Sequence, residues 1–163
     1  MLLITGFFGG GEHLCVSIYK DVENPTEFVY NIIYSFVLEE NYMDNIKWAV
    51  LGTGVIANEM AVALKKNGKN IYAVGNRTHE KAVDFAKKYG INKVYDDFNE
   101  MFVDPEIDVI YITTPHNTHT EFMRKAIKNG KHILVEKSIT LNSDELEEAI
   151  TLANENGVVI GRQ

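Results

Sequence analysis

From Ile46 onward the chain alternates short apolar runs with longer amphipathic ones, and this alternation limits the fold more than any single motif does. "IKWAVLG", "NIYAVGN", "KVYD", "DVIYITT", "HILVEK" and "GVVIG" read as strands, most of them apolar nearly throughout, as strands buried on both faces are. The stretches between them read as helices. "IANEMAVALKKNG" places Ile56, Met60, Ala63 and Leu64 on one face and ends on Gly68, while "THTEFMRKAIKNG" ends in the same way on Gly130. Thr78 is placed to cap a helix from His79 to Tyr89, with Ala82, Phe85 and Ala86 inward. "DFNEMFVD" reads as a short helix capped by Asp96 or Asp97, and Asn142 as the cap of a last helix, with Glu145 set for the reciprocal bond. Strands separated by helices need crossover connections, hence a parallel sheet, and right-handed crossovers give a doubly wound α/β fold.

Ligands of such sheets bind beyond the carboxyl ends of the strands. The loops "GTG", "GNRT", "TTPHNTH" and "EKS" all fall at those ends and therefore open on one side of the sheet. In the first of them Gly52 lets the chain leave its strand sharply. Gly54 has no side chain to keep a diphosphate from the backbone, and Ala57 is small enough for close helix–strand packing. The N–H groups that open the next helix lack intrahelical acceptors and face an anion placed there. At the end of the second strand an NAD site usually carries an acid for the ribose 2′-hydroxyl. Here "AVGNRT" has none and offers Asn76 and Arg77 instead; a guanidinium grips a 2′-phosphate bidentately and stacks on adenine. The expected coenzyme is NADP, with NAD as second choice.

Composition narrows the remaining classes. A net charge of −7 argues against a nucleic-acid surface, and no apolar run approaches the roughly 18 residues of a membrane helix. "MLLITGFFGGG" has neither a basic region nor a small-residue cleavage site, so no signal peptide is expected, and a cytoplasmic location follows as the expectation. The single Cys15 has no partner for an internal disulfide. His116 and His119 lie close together, but no third ligand at suitable spacing accompanies them, so no metal site is expected. His79 and His132 read as structural or exposed. Residues 1–42 differ from the rest. They hold 8 of the 17 aromatic residues and a net charge of −5, with "HLCVSIY" read as a strand and "TEFVYNIIYSFVLEE" as an amphipathic helix. We treat 1–42 as a leader, either an accessory packing element or the product of an upstream start codon, and 43–163 as the domain.

Together "GTGVIA", "NRT", "TTPHNTHTEF" and "AIKNGKHILVEKSIT" resemble the glucose-fructose oxidoreductase / inositol dehydrogenase (Gfo/Idh/MocA) family over residues 47–157. "TPHNTH" followed at this distance by "GKHILVEK" is the most specific part. The resemblance implies an N-terminal NAD(P)-binding Rossmann domain, which in that family precedes a C-terminal substrate domain. It also implies hydride transfer between the nicotinamide and a hydroxyl of a sugar, cyclitol or related diol. By the same resemblance Gly52, Thr53, Gly54, Val55 and Ile56 surround the pyrophosphate, and Asn76 and Arg77 meet the adenosine ribose and its phosphate. Thr113, Thr114, Pro115, Asn117 and His119 line the loop beneath the nicotinamide half. Glu136 and Lys137 match the family's Glu-Lys-Pro signature and are expected among the cofactor-binding residues; Lys137 is also the expected catalytic residue, a cation near the nicotinamide that favours alkoxide character on the reacting hydroxyl. Ser138 stands where the family usually has proline.

The family's substrate domain has no counterpart in these 163 residues, so the chain is expected to be a truncated form with little activity alone. The alternatives are a non-catalytic nucleotide-binding or redox-sensing module, or one half of an assembly with a partner polypeptide. The expected partners are thus a nicotinamide dinucleotide and, in the complete protein, a small polyol or sugar. A homo-oligomer is allowed.

Overall fold

The computed structural model describes the backbone of residues 2–8 and 12–18, and residues 46–162 in full. The first two segments are strands β1 (Leu2–Phe8) and β2 (Glu12–Ile18), paired antiparallel with Leu2 opposite Ile18 and Phe8 opposite Glu12. The strand expected in "HLCVSIY" is thus β2, and its partner β1 was not anticipated. The helix expected in "TEFVYNIIYSFVLEE" lies outside the described residues.

Residues 46–162 form a six-stranded parallel sheet with helices on both faces. The strands are β3 (Trp48–Leu51), β4 (Ile71–Gly75), β5 (Lys93–Tyr95), β6 (Val109–Ile112), β7 (His132–Val135) and β8 (Ile160–Arg162). The helices are α1 (Val55–Lys66), α2 (His79–Tyr89), α3 (Phe98–Val103), α4 (His119–Lys128) and α5 (Ser143–Asn156), with a short 3₁₀ turn at His116–Thr118. The strand order is β5-β4-β3-β6-β7-β8, every pair parallel. The order reverses between β3 and β6, the topological switch point of a doubly wound dinucleotide fold.

The period-two alternation of a strand divides the core. Trp48, Val50 and Tyr111 point to one face and pack with Met60, Leu64 and Phe85 of α1 and α2. Leu51, Ile110, Ile112 and Val135 point to the other, against Met101, Met123, Ile127 and Ala149 of α3, α4 and α5. All of these side chains are buried, each worth about 1.5–3 kcal/mol of transfer free energy for the larger ones. Val50, Leu51, Ile110 and Ile112 have no exposed surface, which is why β3 and β6 carry no charged residue.

The helix ends follow the sequence signals with two differences. Gly68 and Gly130 close their helices at φ +70° and +69° as expected. Asp97 accepts from Asn99 N at 2.8 Å and Asn142 Oδ1 accepts from Glu145 N at 2.9 Å, two side-chain caps. The return bond of Glu145 goes one residue further out, to Leu141 N at 3.1 Å, because the same carboxylate oxygen also accepts from Thr120 Oγ1 on α4 at 2.8 Å. Thr78 occupies the cap position of α2, but its hydroxyl makes no cap bond; its carbonyl is taken by Asn76 Nδ2 at 3.0 Å. The last strand begins at Ile160, three residues later than "GVVIG" suggests, because Gly157 is spent on ending α5 at φ +64° and Val158 on the core.

Candidate active site

The loops at the carboxyl ends of the strands are joined by backbone hydrogen bonds that extend the sheet by one residue. Gly52 N donates to Gly75 O at 2.8 Å, Thr113 N to Leu51 O at 2.9 Å and Glu136 N to Ile112 O at 3.1 Å. Their first residues are therefore held as rigidly as the strands. Gly52 has φ +108°, and a Cβ added there would lie 2.4 Å from Thr113 Oγ1 and 3.1 Å from the Thr113 carbonyl. Thr113 Oγ1 itself donates to Leu51 O at 3.1 Å, so it does not swing aside without losing that bond. Both the positive φ and the neighbouring loop exclude any side chain at Gly52.

Gly54 differs. Its φ of −72° suits any residue, and a Cβ there would meet nothing within 4 Å. The space over Gly54 is open, at the cap of a 12-residue helix whose first N–H groups have no intrahelical acceptor. No acidic side chain occupies the first turn of α1, where one would oppose an anion. Val55 is 73 % exposed beside this opening, Thr53 and Ile56 are half-buried, and Ala57 is fully buried against the sheet. An open cradle backed by helix N–H groups is what a diphosphate requires, and these residues fit the group.

Asn76 and Arg77 follow β4 on the same side of the sheet. Asn76 is half-buried and fixed by its bond to Thr78 O; Arg77 is exposed, with no ion pair among the described residues. Gly75 before them is set by packing, since a Cβ there would stand 3.0 Å from Met101 Cε and 3.2 Å from the Phe98 ring.

The loop after β6 is ordered by its own hydroxyls. Thr118 N and Oγ1 both donate to Pro115 O, at 2.9 and 2.7 Å. The Thr118 hydrogen being used there, the 2.7 Å contact between Thr114 Oγ1 and Thr118 Oγ1 has Thr114 as donor. Pro115, His116 and Asn117 are exposed at the tip. His119 is fully buried. One ring nitrogen, Nδ1, lies 2.8 Å from Ser138 O and the other, Nε2, 2.8 Å from Thr114 O. Its ring thereby ties the loop after β6 to the loop after β7, and it supports the crevice from below without offering an atom to it.

In the loop after β7, Glu136 is half-buried and accepts from the Tyr111 hydroxyl at 2.5 Å. Lys137 is exposed, with no ion pair among the described residues, and the Lys137–Ser138 peptide bond is cis. Buried Ile139 anchors the segment just beyond. The geometry thus brings an anion cradle, a guanidinium and a solvent-facing ammonium to one end of the sheet. Among the described residues no group of three or more His, Cys, Asp or Glu is placed to hold a metal, and no helix is long and apolar enough to cross a membrane.

Tyr111, the partner of the expected Glu136, and Asn58 do not stand out in the sequence. The Tyr111–Glu136 pair depends on β6 and β7 being neighbours, which the sequence order does not announce. Asn58, one turn into α1, donates to the glycine turn it follows, and reads in sequence as an ordinary polar helix residue.

The family described as "Oxidoreductase family, NAD-binding Rossmann fold" matches residues 46–162. The chain belongs to the Gfo/Idh/MocA oxidoreductase family. Among curated Gfo/Idh/MocA relatives, the trans-1,2-dihydrobenzene-1,2-diol dehydrogenase of Xenopus laevis is 36% identical over 117 residues, which span 70% of this chain and 36% of that protein. A solved NAD binding oxidoreductase from Klebsiella pneumoniae superposes with a TM-score of 0.69 at 27% identity, over 73% of this chain and 34% of the other. A 3-ketoreductase from Actinomadura kijaniata, solved with TDP-benzene and NADP, superposes with a TM-score of 0.67 at 25% identity, over 72% of this chain and 37% of the other. The chain therefore spans about a third of the length of the curated relatives it matches and carries the family's NAD(P)-binding Rossmann domain.

Proposed function

We propose that this chain is the coenzyme-binding part of an NADP-preferring oxidoreductase that moves hydride between the nicotinamide and a hydroxyl of a sugar, cyclitol or diol. The observation that carries this reading is the open cradle over Gly54 at the head of α1. The 2′-phosphate preference rests on exposed Arg77 at the end of β4, in a loop from Asn76 to Thr78 that contains no acid. Diol and sugar chemistry is named for relatives, a dihydrodiol dehydrogenase and a 1,5-anhydro-D-fructose reductase from Ensifer adhaerens.

The bound coenzyme would supply the hydride. The protein's own residues do the rest. Gly52, Gly54, Val55 and Ile56 present backbone to the diphosphate, with Thr53 alongside. Asn76 and Arg77 take the adenosine end. Thr113, Thr114, Pro115 and Asn117 floor the nicotinamide end, with His119 beneath them and Glu136 held by Tyr111. Lys137 projects its ammonium where negative charge grows on a substrate oxygen, and a positioned cation lowers the barrier to that charge.

A fluorescence titration with NADPH and NADH tests the coenzyme. Binding of NADPH at least tenfold tighter supports the reading, and no binding of either overturns it. Loss of reduced-nicotinamide absorbance with a panel of sugars, diols and dicarbonyls tests turnover. Tight binding with no turnover on any of them favours the second reading, a nucleotide-binding module without catalysis.

A further inference from the structure

We propose that Asn58 is the positioning residue of the diphosphate turn, with Tyr89 and Lys88 holding it in place. The proposal rests on the coenzyme reading above and names how the turn is aimed. Asn58 Nδ2 donates to two successive carbonyls of the turn, Gly54 O at 2.7 Å and Thr53 O at 3.3 Å. Its Oδ1 accepts from two donors on α2, the Tyr89 hydroxyl and Lys88 Nζ, each at 2.7 Å. The two sides of the amide face opposite kinds of partner, so its orientation is fixed. Flipped, it would set oxygen against two carbonyls and nitrogen against an ammonium.

The consequence lies in the planarity of the peptide bond. In a trans peptide the carbonyl of one residue and the N–H of the next point in opposite directions. The Gly54 carbonyl also accepts the helix bond from Asn58 N at 3.1 Å, so the side chain adds a second bond there and supplies the Thr53 one by itself. Holding both carbonyls toward Asn58 keeps the Gly54 and Val55 N–H groups turned away from it, beside a Gly54 where a Cβ meets nothing within 4 Å. Glycine at position 54 leaves the turn conformationally loose, and the Asn58 side chain adds restraint to the single helix bond that Gly54 O accepts from Asn58 N. Donors already aimed at an anion cost no reorganisation when it binds.

The second half of the amide ties the turn to α2, which begins directly after Asn76, Arg77 and Thr78. Tyr89 is itself seated by its ring contact with Phe85, centroids 4.7 Å apart. The diphosphate turn and the adenosine loop are thereby braced by one helix. Lys88 polarises the amide through Oδ1, which strengthens donation from Nδ2.

The test uses the whole chain and three variants. Asn58→Asp keeps an acceptor for Tyr89 and Lys88 but sets a carboxylate against the two carbonyls. Asn58→Leu removes the donor without adding charge, and Tyr89→Phe loosens the amide from its far side. Each is checked by circular dichroism and thermal unfolding, then titrated with NADPH by fluorescence and with 2′-AMP, which lacks the 5′-diphosphate, by NMR. For both Asn58 variants the expected result is NADPH affinity about tenfold weaker or more, in line with two lost hydrogen bonds, with 2′-AMP affinity unchanged. For Tyr89→Phe a two- to threefold loss of NADPH affinity on the same pattern is expected. In the free protein the amide signals of Gly54 and Val55 shift more than those of the remainder of α1. Folded Asn58 variants that bind NADPH as the wild type does overturn the proposal, as does an equal fall in NADPH and 2′-AMP affinity, the mark of a general structural defect. If the Asn58 variants do not fold, Tyr89→Phe decides by the same two titrations. A wild type that binds neither NADPH nor NADH sinks the coenzyme reading, and this proposal with it.

Discussion

The hydroxyl of Tyr111 donates to Oε1 of Glu136 across 2.5 Å, linking the middle of β6 to the residue that leaves β7. Tyr111 has no exposed surface. Burial, and next the Glu136 carboxylate, hold its phenol above the ordinary tyrosine range. The pair fixes the carboxylate immediately before Lys137. Tyr111→Phe should keep the fold and lower stability by about 1–2 kcal/mol, the usual consequence of deleting one partner of a charge-assisted hydrogen bond. Glu136→Gln, which retains an acceptor, should cost less. Urea unfolding of the two variants beside the wild type checks the order.

Gly52 and Gly54 look alike in sequence and should behave differently on substitution. Gly52→Ala combines φ +108° with a contact of 2.4 Å, and should lower stability by about 2–4 kcal/mol. Gly54→Ala meets no atom of the protein and should leave the unfolding midpoint nearly unchanged, while the added methyl group fills the space intended for the diphosphate and weakens NADPH binding about tenfold or more. Thermal unfolding paired with a coenzyme titration separates the two. A Gly54→Ala protein that binds NADPH normally would remove the cradle from the argument.

The alternation that announced the sheet, the glycines that end α1 and α4, and the cap at Asn142 were legible because each is decided within a few residues of chain. The pairings that do not show in the sequence are decided across it. Tyr111 and Glu136 are 25 residues apart, and Asn58 and Tyr89 are 31 apart. Nothing local distinguishes Asn58 from any polar side chain on an exposed helix face until α2 is laid beside α1. His119 shows the same limit. Its place in "TPHNTH" marks it as part of the loop, but only the fold reveals that its two nitrogens face the Thr114 and Ser138 carbonyls. Thr78 is the converse, a capping residue in the right place whose hydroxyl the actual turn does not use.

Arg77 is exposed and makes no ion pair among the described residues, so its removal should leave stability within about 0.5 kcal/mol of wild type. Its effect should appear in coenzyme choice. Arg77→Ala should weaken NADPH binding by about ten- to a hundredfold, as expected for losing charge-assisted bonds to a phosphate, and leave NADH within about twofold. Parallel titrations with the two coenzymes measure the ratio directly. A fall equal for both would assign Arg77 to adenine stacking instead of the 2′-phosphate.

Lys137 should separate binding from chemistry. It is exposed beyond β7, and Lys137→Met should not alter unfolding and should change NADPH affinity little. In any preparation that turns over a sugar or diol, kcat should fall by about a hundred- to ten-thousandfold. Steady-state kinetics of the variant, with kcat and KM resolved, tests this. A rise in KM at constant kcat would make Lys137 a binding group and no more.

At the opposite end of the sheet Asp104 makes stability depend on acid. It is buried, and its Oδ2 accepts from Lys93 Nζ at 2.7 Å and the Tyr95 hydroxyl at 2.5 Å. Burial alone would raise this carboxyl, but the bonds from Lys93 and Tyr95, with Glu106 N on the other oxygen, outweigh it and hold Asp104 at about 2. The folded value lies below the unfolded one, so the unfolded chain binds the proton first as pH falls. The stabilisation is complete above pH 4 and disappears as pH drops toward 2. A displacement from 3.8 to about 2 corresponds to roughly 2 kcal/mol. Tyr95 has the opposite sign. Burial first, then Asp104, raise its phenol to about 12, so its contribution is complete below pH 10 and is lost between there and 12. Asp104→Asn should therefore lower stability by about 2 kcal/mol at pH 7 and show little difference from wild type near pH 2. Urea midpoints collected from pH 2 to pH 7 on both proteins trace the difference, and parallel curves over that span would show that Asp104 is not the group being titrated.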